Sequence, residues 1–193
     1  MPRTSRGRFL HKHLFIVTGP AGCGKTTVAK HLSKLFDLPY LEGDNYHPQE
    51  NVEKMRAGVP LADADRWDWL VNLREAAEQE LDTGCSGVVL TCSALKRKYR
   101  DVIRIAQYNE PSLLIHFIYL RASEEVLLQR VAQRQGHYMK QSMVQSQLQS
   151  LEEPRKEYDV HSIDVSGTPN EVQTMAFETV RAILAQDIDQ GTR

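Results

Sequence analysis

The sequence predicts an α/β fold, a three-layer sandwich in which a mostly parallel sheet of about five strands lies between helices. Three observations predict it. Short, nearly continuous apolar runs alternate with amphipathic segments along the chain, the pattern of strands buried on both faces and joined by crossover helices. The first of these runs ends in a glycine-rich turn that leads straight into an amphipathic segment. With 193 residues and 41% hydrophobic content, the chain can bury one sizeable core but not two comfortable ones.

Each element follows from local pattern. Residues 13–18 are apolar, favour β structure and stop at Gly-Pro-Ala-Gly, so they read as a buried strand. A helix over 25–36 puts Val28, Ala29, Leu32, Leu35 and Phe36 on its buried side. A second strand covers 38–42, and a long helix over 66–81 turns Trp69, Leu70, Leu73, Ala76, Ala77 and Leu81 inward. Strand then alternates with helix over 87–92, 96–107, 113–120 and 123–135, the last opened by a Ser-Glu-Glu start signal. A strand at 161–165 and a helix at 170–186 close the series. One domain, 14–187, is expected between a basic tail, 1–13, and a short tail, 188–193.

Composition narrows the partners. The 24 basic and 25 acidic residues give a net charge of -1, too little field to draw nucleic acid or an anionic membrane, so neither is expected as a partner. An anionic substrate must instead meet a local cluster of cations. Cys23, Cys85 and Cys92 are odd in number and lack metal-ligand or disulfide spacing, which suits a reducing cytoplasm. No apolar run reaches the length of a membrane span; the best, 113–120, is interrupted by His116. Arg3, Arg6, Arg8 and Lys12, with no acid among them, fit a fragment of a targeting peptide or a polar tail, and the shortness of the segment favours the tail.

The strongest motif is Gly19-Pro20-Ala21-Gly22-Cys23-Gly24-Lys25-Thr26, which satisfies G-x-x-x-x-G-K-[ST] between a predicted strand and a predicted helix. It makes the fold a P-loop sandwich. Backbone N–H groups of such a loop wrap the β-phosphate of ATP, the helix start adds a favourable dipole, Lys25 reaches the β/γ oxygens, and Thr26, followed by Thr27, ligates Mg²⁺. Cys23 reads as a small filler. Hydrolysing relatives carry an acid at the end of an apolar strand, but 87–92 and 113–120 end without one. Acids stand instead in Glu42-Gly43-Asp44, after the second strand and therefore at the same carboxyl edge as the loop. That placement favours transfer to a small hydroxyl acceptor, with Asp44 taking the hydroxyl proton and Glu42 holding a water on Mg²⁺. The plainer alternative for Asp44 is a turn residue.

The following stretch resembles a known family. Gly43-Asp44, His47-Pro48, Asn51, Lys54-Met55, Gly58, Pro60-Leu61, Asp63, Asp65-Arg66 and Trp69-Leu70 resemble the signature of the gluconokinases of the shikimate-kinase-like group. Cys92-Ser93-Ala94-Leu95-Lys96, Tyr99-Arg100-Asp101, Phe117-Ile118-Tyr119-Leu120, Arg134, Gly136-His137 and Leu151-Glu152 before Pro154 continue it in order. The sequence departs from that pattern at Glu42, where Asp is frequent, and at Tyr138, where Phe is frequent. The resemblance implies transfer from ATP to D-gluconate, giving 6-phospho-D-gluconate for the pentose phosphate pathway, with Mg²⁺, and leaves a homodimer open.

Gluconate is a linear polyol with one carboxylate, so its site needs fixed cations and several polar groups. His47, Arg56 and Arg66 precede the long helix, and Ser93, Lys96 and Arg100 follow the third strand; Lys96 and Arg100, four apart, would share one helix face. The resemblance singles out Asp44, Arg66 and Lys96 as contacts and adds His137. It also implies a lid around 135–150, with Arg130 against adenine and Arg134 on the transferred phosphoryl, where positive charge stabilises the transition state. Two other readings stay open: a P-loop kinase for shikimate, a nucleotide or another polyol, and a nucleotide-binding regulator without turnover.

Overall fold

The protein is described by a computed structural model that covers residues 10–132 and 141–190. Five strands, β1 (Lys12–Thr18), β2 (Tyr40–Glu42), β3 (Gly87–Thr91), β4 (Leu113–Arg121) and β5 (Val160–Asp164), form one parallel sheet in the order β2-β3-β1-β4-β5. Among the described residues the helices are α1 (Lys25–Phe36), α2 (Gln49–Arg56), α3 (Trp67–Asp82), α4 (Arg97–Asn109), α5 (Glu124–Ala132), α6 (Gln141–Ser150) and α7 (Pro169–Gln190). Side chains alternate across each strand, so β1 feeds two cores. Phe15 and Val17 pack with Val28, Ala29 and Leu32 of α1 and Val172, Ala176 and Val180 of α7. Leu14 and Ile16 pack on the other face with Trp69, Leu70 and Leu73 of α3 and Tyr99 and Ile103 of α4. Each such buried side chain contributes about 1.5–3 kcal/mol. Two cores on opposite faces of one sheet make the expected three-layer sandwich.

The differences from expectation have local causes. β2 begins at Tyr40 rather than at residue 38, because Pro39 has no N–H for the ladder and offers only its carbonyl, to Val89 N at 2.9 Å. Leu35, expected inside, is 51% exposed, whereas Phe36 stacks on Phe177. The basic tail ends sooner than residue 13. Leu10 N and His11 N donate to Asp187 Oδ2 at 2.9 and 3.2 Å, and His11 Nδ1 pairs with Oδ1 at 2.5 Å, so residues 10–13 belong to the fold. α7 likewise runs past 187 to Gln190. No helix among the described residues is long and apolar enough to cross a membrane, and Cys23, Cys85 and Cys92 are free thiols.

Away from the glycine-rich loop, His13 of β1, His116 of β4 and His161 of β5 cluster with Asp187 of α7. His13 Nδ1 lies 3.2 Å from His116 Nε2, and His13 Nε2 lies 3.3 Å from Asp187 Oδ2. Burial lowers all three histidine pKa values, that of His116 to about 3 with His13 and His161 adding repulsion, against the pull of Asp187. An unfolded histidine takes its proton near pH 6.5, so below that pH the unfolded chain binds protons the folded one refuses. Stability from these groups is therefore full above pH 6.5 and falls as pH drops toward 3, the window set by His116. The slope approaches about 1.4 kcal/mol per pH unit for each histidine still neutral in the fold. Urea unfolding at pH 7 and pH 5 should show a lower midpoint at pH 5; equal midpoints would contradict this account.

Candidate active site

The carboxyl ends of the strands bring the functional segments together. The loop 19–24 leaves β1 at the sheet centre and enters α1, so the unpaired N–H groups of the first helical turn face the cleft. Gly19 has φ 141°, and a Cβ there would lie 2.9 Å from both Cys23 Sγ and the Leu120 carbonyl. No other residue fits without moving β4. Lys25 Nζ donates to the carbonyls of Gly19 and Pro20 at 3.0 and 3.1 Å, which lays its ammonium across the first half of the loop.

Glu42 ends β2 beside this loop. Its Oε2 accepts from Thr26 Oγ1 at 3.0 Å and from Tyr40 OH at 2.5 Å, and its Oε1 accepts from Thr91 Oγ1. Burial opposes its charge, but the hydrogen bonds of Thr91, Tyr40 and Thr26 and the nearby Lys25 outweigh that and hold the carboxyl below its ordinary pKa. Glu42 is therefore an anion. Gly43 follows with no room for a side chain, since a Cβ would sit 1.9 Å from the Thr91 carbonyl. Its N–H donates to Thr91 Oγ1 at 3.0 Å and its carbonyl accepts from Trp69 Nε1 at 2.7 Å. The backbone is thus pinned, and the next residue, Asp44, is solvent-exposed, although protein packs around its carboxyl. The protein mass around it raises its pKa, with Glu42 adding repulsion and Lys25 pulling the other way. The Cys92 thiol just past β3 is buried, which pushes its pKa up to about 12, with the charges of Asp44, Lys25 and Arg66 as smaller influences.

Among the residues expected to meet the acceptor, His47 stacks on Trp69 with ring centres 4.1 Å apart, and burial followed by the charge of Arg66 lowers its pKa to about 4. It is a neutral imidazole at physiological pH. The Arg66 guanidinium lies over the Tyr99 ring at 5.5 Å and donates to the Leu61 carbonyl at 3.2 Å. Asp63, which the sequence marks as part of the family signature without a role, gathers Lys96 Nζ at 2.8 Å together with Lys98 Nζ and Tyr99 OH. Hydrogen bonds from Lys96, Lys98 and Tyr99 hold its carboxyl far below the ordinary range. Ser93 lies half-buried after β3, its carbonyl bonded by Thr18 Oγ1 at 2.7 Å.

One expected pairing fails, and one expected acceptor contact is placed elsewhere. Lys96 is the extended residue before α4, not part of it, so it shares no helix face with Arg100. Arg100 is 2% exposed and turns into the protein, with Nε and Nη2 on Glu157 at 2.9 and 2.6 Å and further bonds to the carbonyls of Ala94 and Glu152. With those donors committed it braces α4 against the segment before β5 rather than binding substrate, which corrects the expectation. Arg56 stands exposed in the last turn of α2. Arg134 and His137 lie outside the described residues, as does the start of the expected lid; the rest of that lid is α6.

Beyond the loop, a cavity of about 460 Å³ is lined by Gly22, Cys23, Gly24, Thr27, Val28, Arg130, Pro169 and Val172. Arg130 is held by the Val165 carbonyl at 2.6 Å and the Cys23 carbonyl at 3.4 Å, which fixes its planar group at the cavity wall. Pro169 and Val172 were missed in the sequence, although Gly167-Thr168-Pro169 follows the last strand at the same sheet edge. An apolar slot with a fixed guanidinium beside a phosphate-binding loop suits a purine ring.

Comparison with known proteins agrees with this geometry. A family model described as an AAA domain matches residues 16–153. A Schizosaccharomyces pombe protein named "Probable gluconokinase" is 46% identical over 179 residues, covering 92% of each chain. The gluconokinase of Gluconobacter oxydans is 39% identical over 92% of this chain and 95% of its own. The crystal structure of a gluconokinase from Sinorhizobium meliloti superposes with a TM-score of 0.79 at 34% identity, over 95% of this chain and 99% of that one. With that identity over nearly the whole of both chains and within the same fold, the chain belongs to the gluconokinase family of P-loop kinases.

Proposed function

We propose that this protein transfers the γ-phosphoryl group of ATP to the terminal hydroxyl of D-gluconate, giving ADP and 6-phospho-D-gluconate. The observation that carries it is the shared carboxyl edge of the parallel sheet, where the loop after β1 with Lys25, the turn after β2 with Asp44 and the segment after β3 with Ser93 and Lys96 stand on neighbouring strands. In the reaction the hydroxyl oxygen bonds to the γ-phosphorus as the bond to the bridging β–γ oxygen breaks. ADP leaves with that electron pair, and the hydroxyl proton passes to the Asp44 carboxylate and on to solvent. Lys25 and the loop amides take up charge on the β and γ oxygens. Arg130 and Pro169 hold adenine, Arg66 and Lys96 offer positive charge to the sugar-acid carboxylate, and His47 and Ser93 face its hydroxyls. Arg134 is assigned to the phosphoryl group on the sequence pattern alone.

The residues beside the loop fit Mg²⁺. The Thr26 hydroxyl, which now donates to Glu42, would serve as a direct ligand, and Glu42, an anion whose three bound hydroxyls leave a lone pair, would hold a metal-bound water. When bound, Mg²⁺ neutralises charge on the β and γ phosphates. Free cysteines throughout support a reducing, cytoplasmic setting.

A coupled assay of ADP release over a panel of sugar acids, polyols and shikimate tests this reading. Gluconate should give the highest kcat/KM. A better rate with another acceptor would move the assignment within the kinases, and ADP release that no acceptor stimulates would support a regulator.

A further inference from the structure

The residue that reaches the phosphate loop from furthest along the chain is Gln147, in the middle of α6. Its Oε1 accepts a hydrogen bond from Ala21 N at 2.7 Å. An N–H can be met only by the amide oxygen, so the orientation of the side-chain amide is fixed, and its NH₂ group must lie on the other branch of the same rigid plane. Gln147 Nε2 has no hydrogen-bond partner among the described residues. The side chain is half-buried beside the loop, and its two amide donors are unpaired among the described residues.

The position of Ala21 says what those donors face. The second half of the loop opens the N-terminus of α1, where helix amides collect a phosphate. The first half, Gly19 to Ala21, is where the Lys25 ammonium lies, bonded to the Gly19 and Pro20 carbonyls. Lys25 is the group that reaches toward the terminal phosphate in such a loop. Gln147 therefore meets the loop at the end where the γ-phosphate sits, not at the end that holds adenine or the α-phosphate.

We propose that Gln147 contacts the γ-phosphoryl group: the Ala21 amide anchors its oxygen, and its NH₂ donors bond the phosphoryl oxygens, distinguishing ATP from ADP and steadying the group during transfer. The inference rests on the kinase reading above and adds to it a neutral donor carried by a helix that does not contain the loop. A neutral amide suits this place, since it donates to the phosphoryl oxygens without binding the product phosphate as tightly as a cation would.

The alternative is that Gln147 only braces the loop, and two variants separate the two roles. Gln147→Glu keeps an oxygen for Ala21 N–H but removes both donors and sets a negative charge against the phosphate. Gln147→Ala removes anchor and donors together. For the wild type and both variants, ADP and ATP affinities are titrated, and kcat and KM are measured with gluconate. Gln147→Glu should bind ADP within about twofold of wild type, bind ATP about tenfold more weakly, and lose about 10²-fold in kcat; Gln147→Ala should lose about tenfold in kcat with ADP affinity retained. If Gln147→Glu matches wild type in ATP affinity and kcat, or if Gln147→Ala weakens ADP and ATP equally, the side chain is a brace and the proposal falls. Should the wild type prefer an acceptor other than gluconate, the acceptor assignment fails, while the contrast between ATP and ADP still decides the role of Gln147.

Discussion

Lys25→Ala is expected to leave a folded protein that has lost about 10³-fold or more in kcat for phosphoryl transfer. Among the described residues its ammonium bonds the carbonyls of Gly19 and Pro20, while the loop's shape comes from its glycines and from the packing of Cys23 and Gly19 against β4. Removing the side chain should therefore lower the melting temperature little. It removes the positive charge nearest the oxygens on which charge builds during transfer. There is a second signature. Lys25 also lowers the pKa of both Glu42 and Asp44, so in the variant the acid limb of residual activity should move to higher pH. Activity near the wild-type level in a folded variant would remove the phosphate loop from the mechanism.

The phosphate loop, the alternation of strands and helices and the Glu42-Gly43-Asp44 turn were legible because their chemistry is local: glycines, a lysine and acids at fixed spacing next to strong apolar runs. α2 was not legible. Among its residues, QENVEKMR, only Asn51 is buried, so a helix polar nearly all round carries no periodic signal. The spacing of Lys96 and Arg100 misled for a different reason. Four residues apart means one face only inside a helix, and Lys96 stands just outside it. The partner that claims Arg100, Glu157, is 57 residues away, and the one that claims Ala21 N, Gln147, is 126 away. Pairings over such distances depend on how helices pack, which local pattern does not encode. Pro169, by contrast, was within reach: the sheet-edge argument that found Asp44 after β2 applies equally to the turn after β5.

Asp44→Asn should keep ATP binding while phosphoryl transfer to gluconate falls by about 10²-fold or more. The separation is expected because the backbone at this turn does not depend on the Asp44 side chain. Gly43 is pressed against the Thr91 carbonyl, its N–H and carbonyl are held by Thr91 and Trp69, and the Asp44 carbonyl receives the His47 N–H. Asparagine keeps the shape and loses only the charge and the basicity. The loss should fall on kcat, since the hydroxyl proton becomes acidic only as its oxygen closes on phosphorus, and acceptor-independent hydrolysis should fall less. The pH profile supplies the internal control. Partial desolvation by the surrounding protein raises the Asp44 pKa above the ordinary carboxylate value, so wild-type kcat should decline as pH falls through that raised value, while the Asn variant stays flat. At the acid end the two curves should converge, because a protonated Asp44 and an Asn are alike in charge. A variant that transfers phosphate at the wild-type rate, or that follows the same acid limb, would make Asp44 a turn residue and send the search for the base to another group in the cleft.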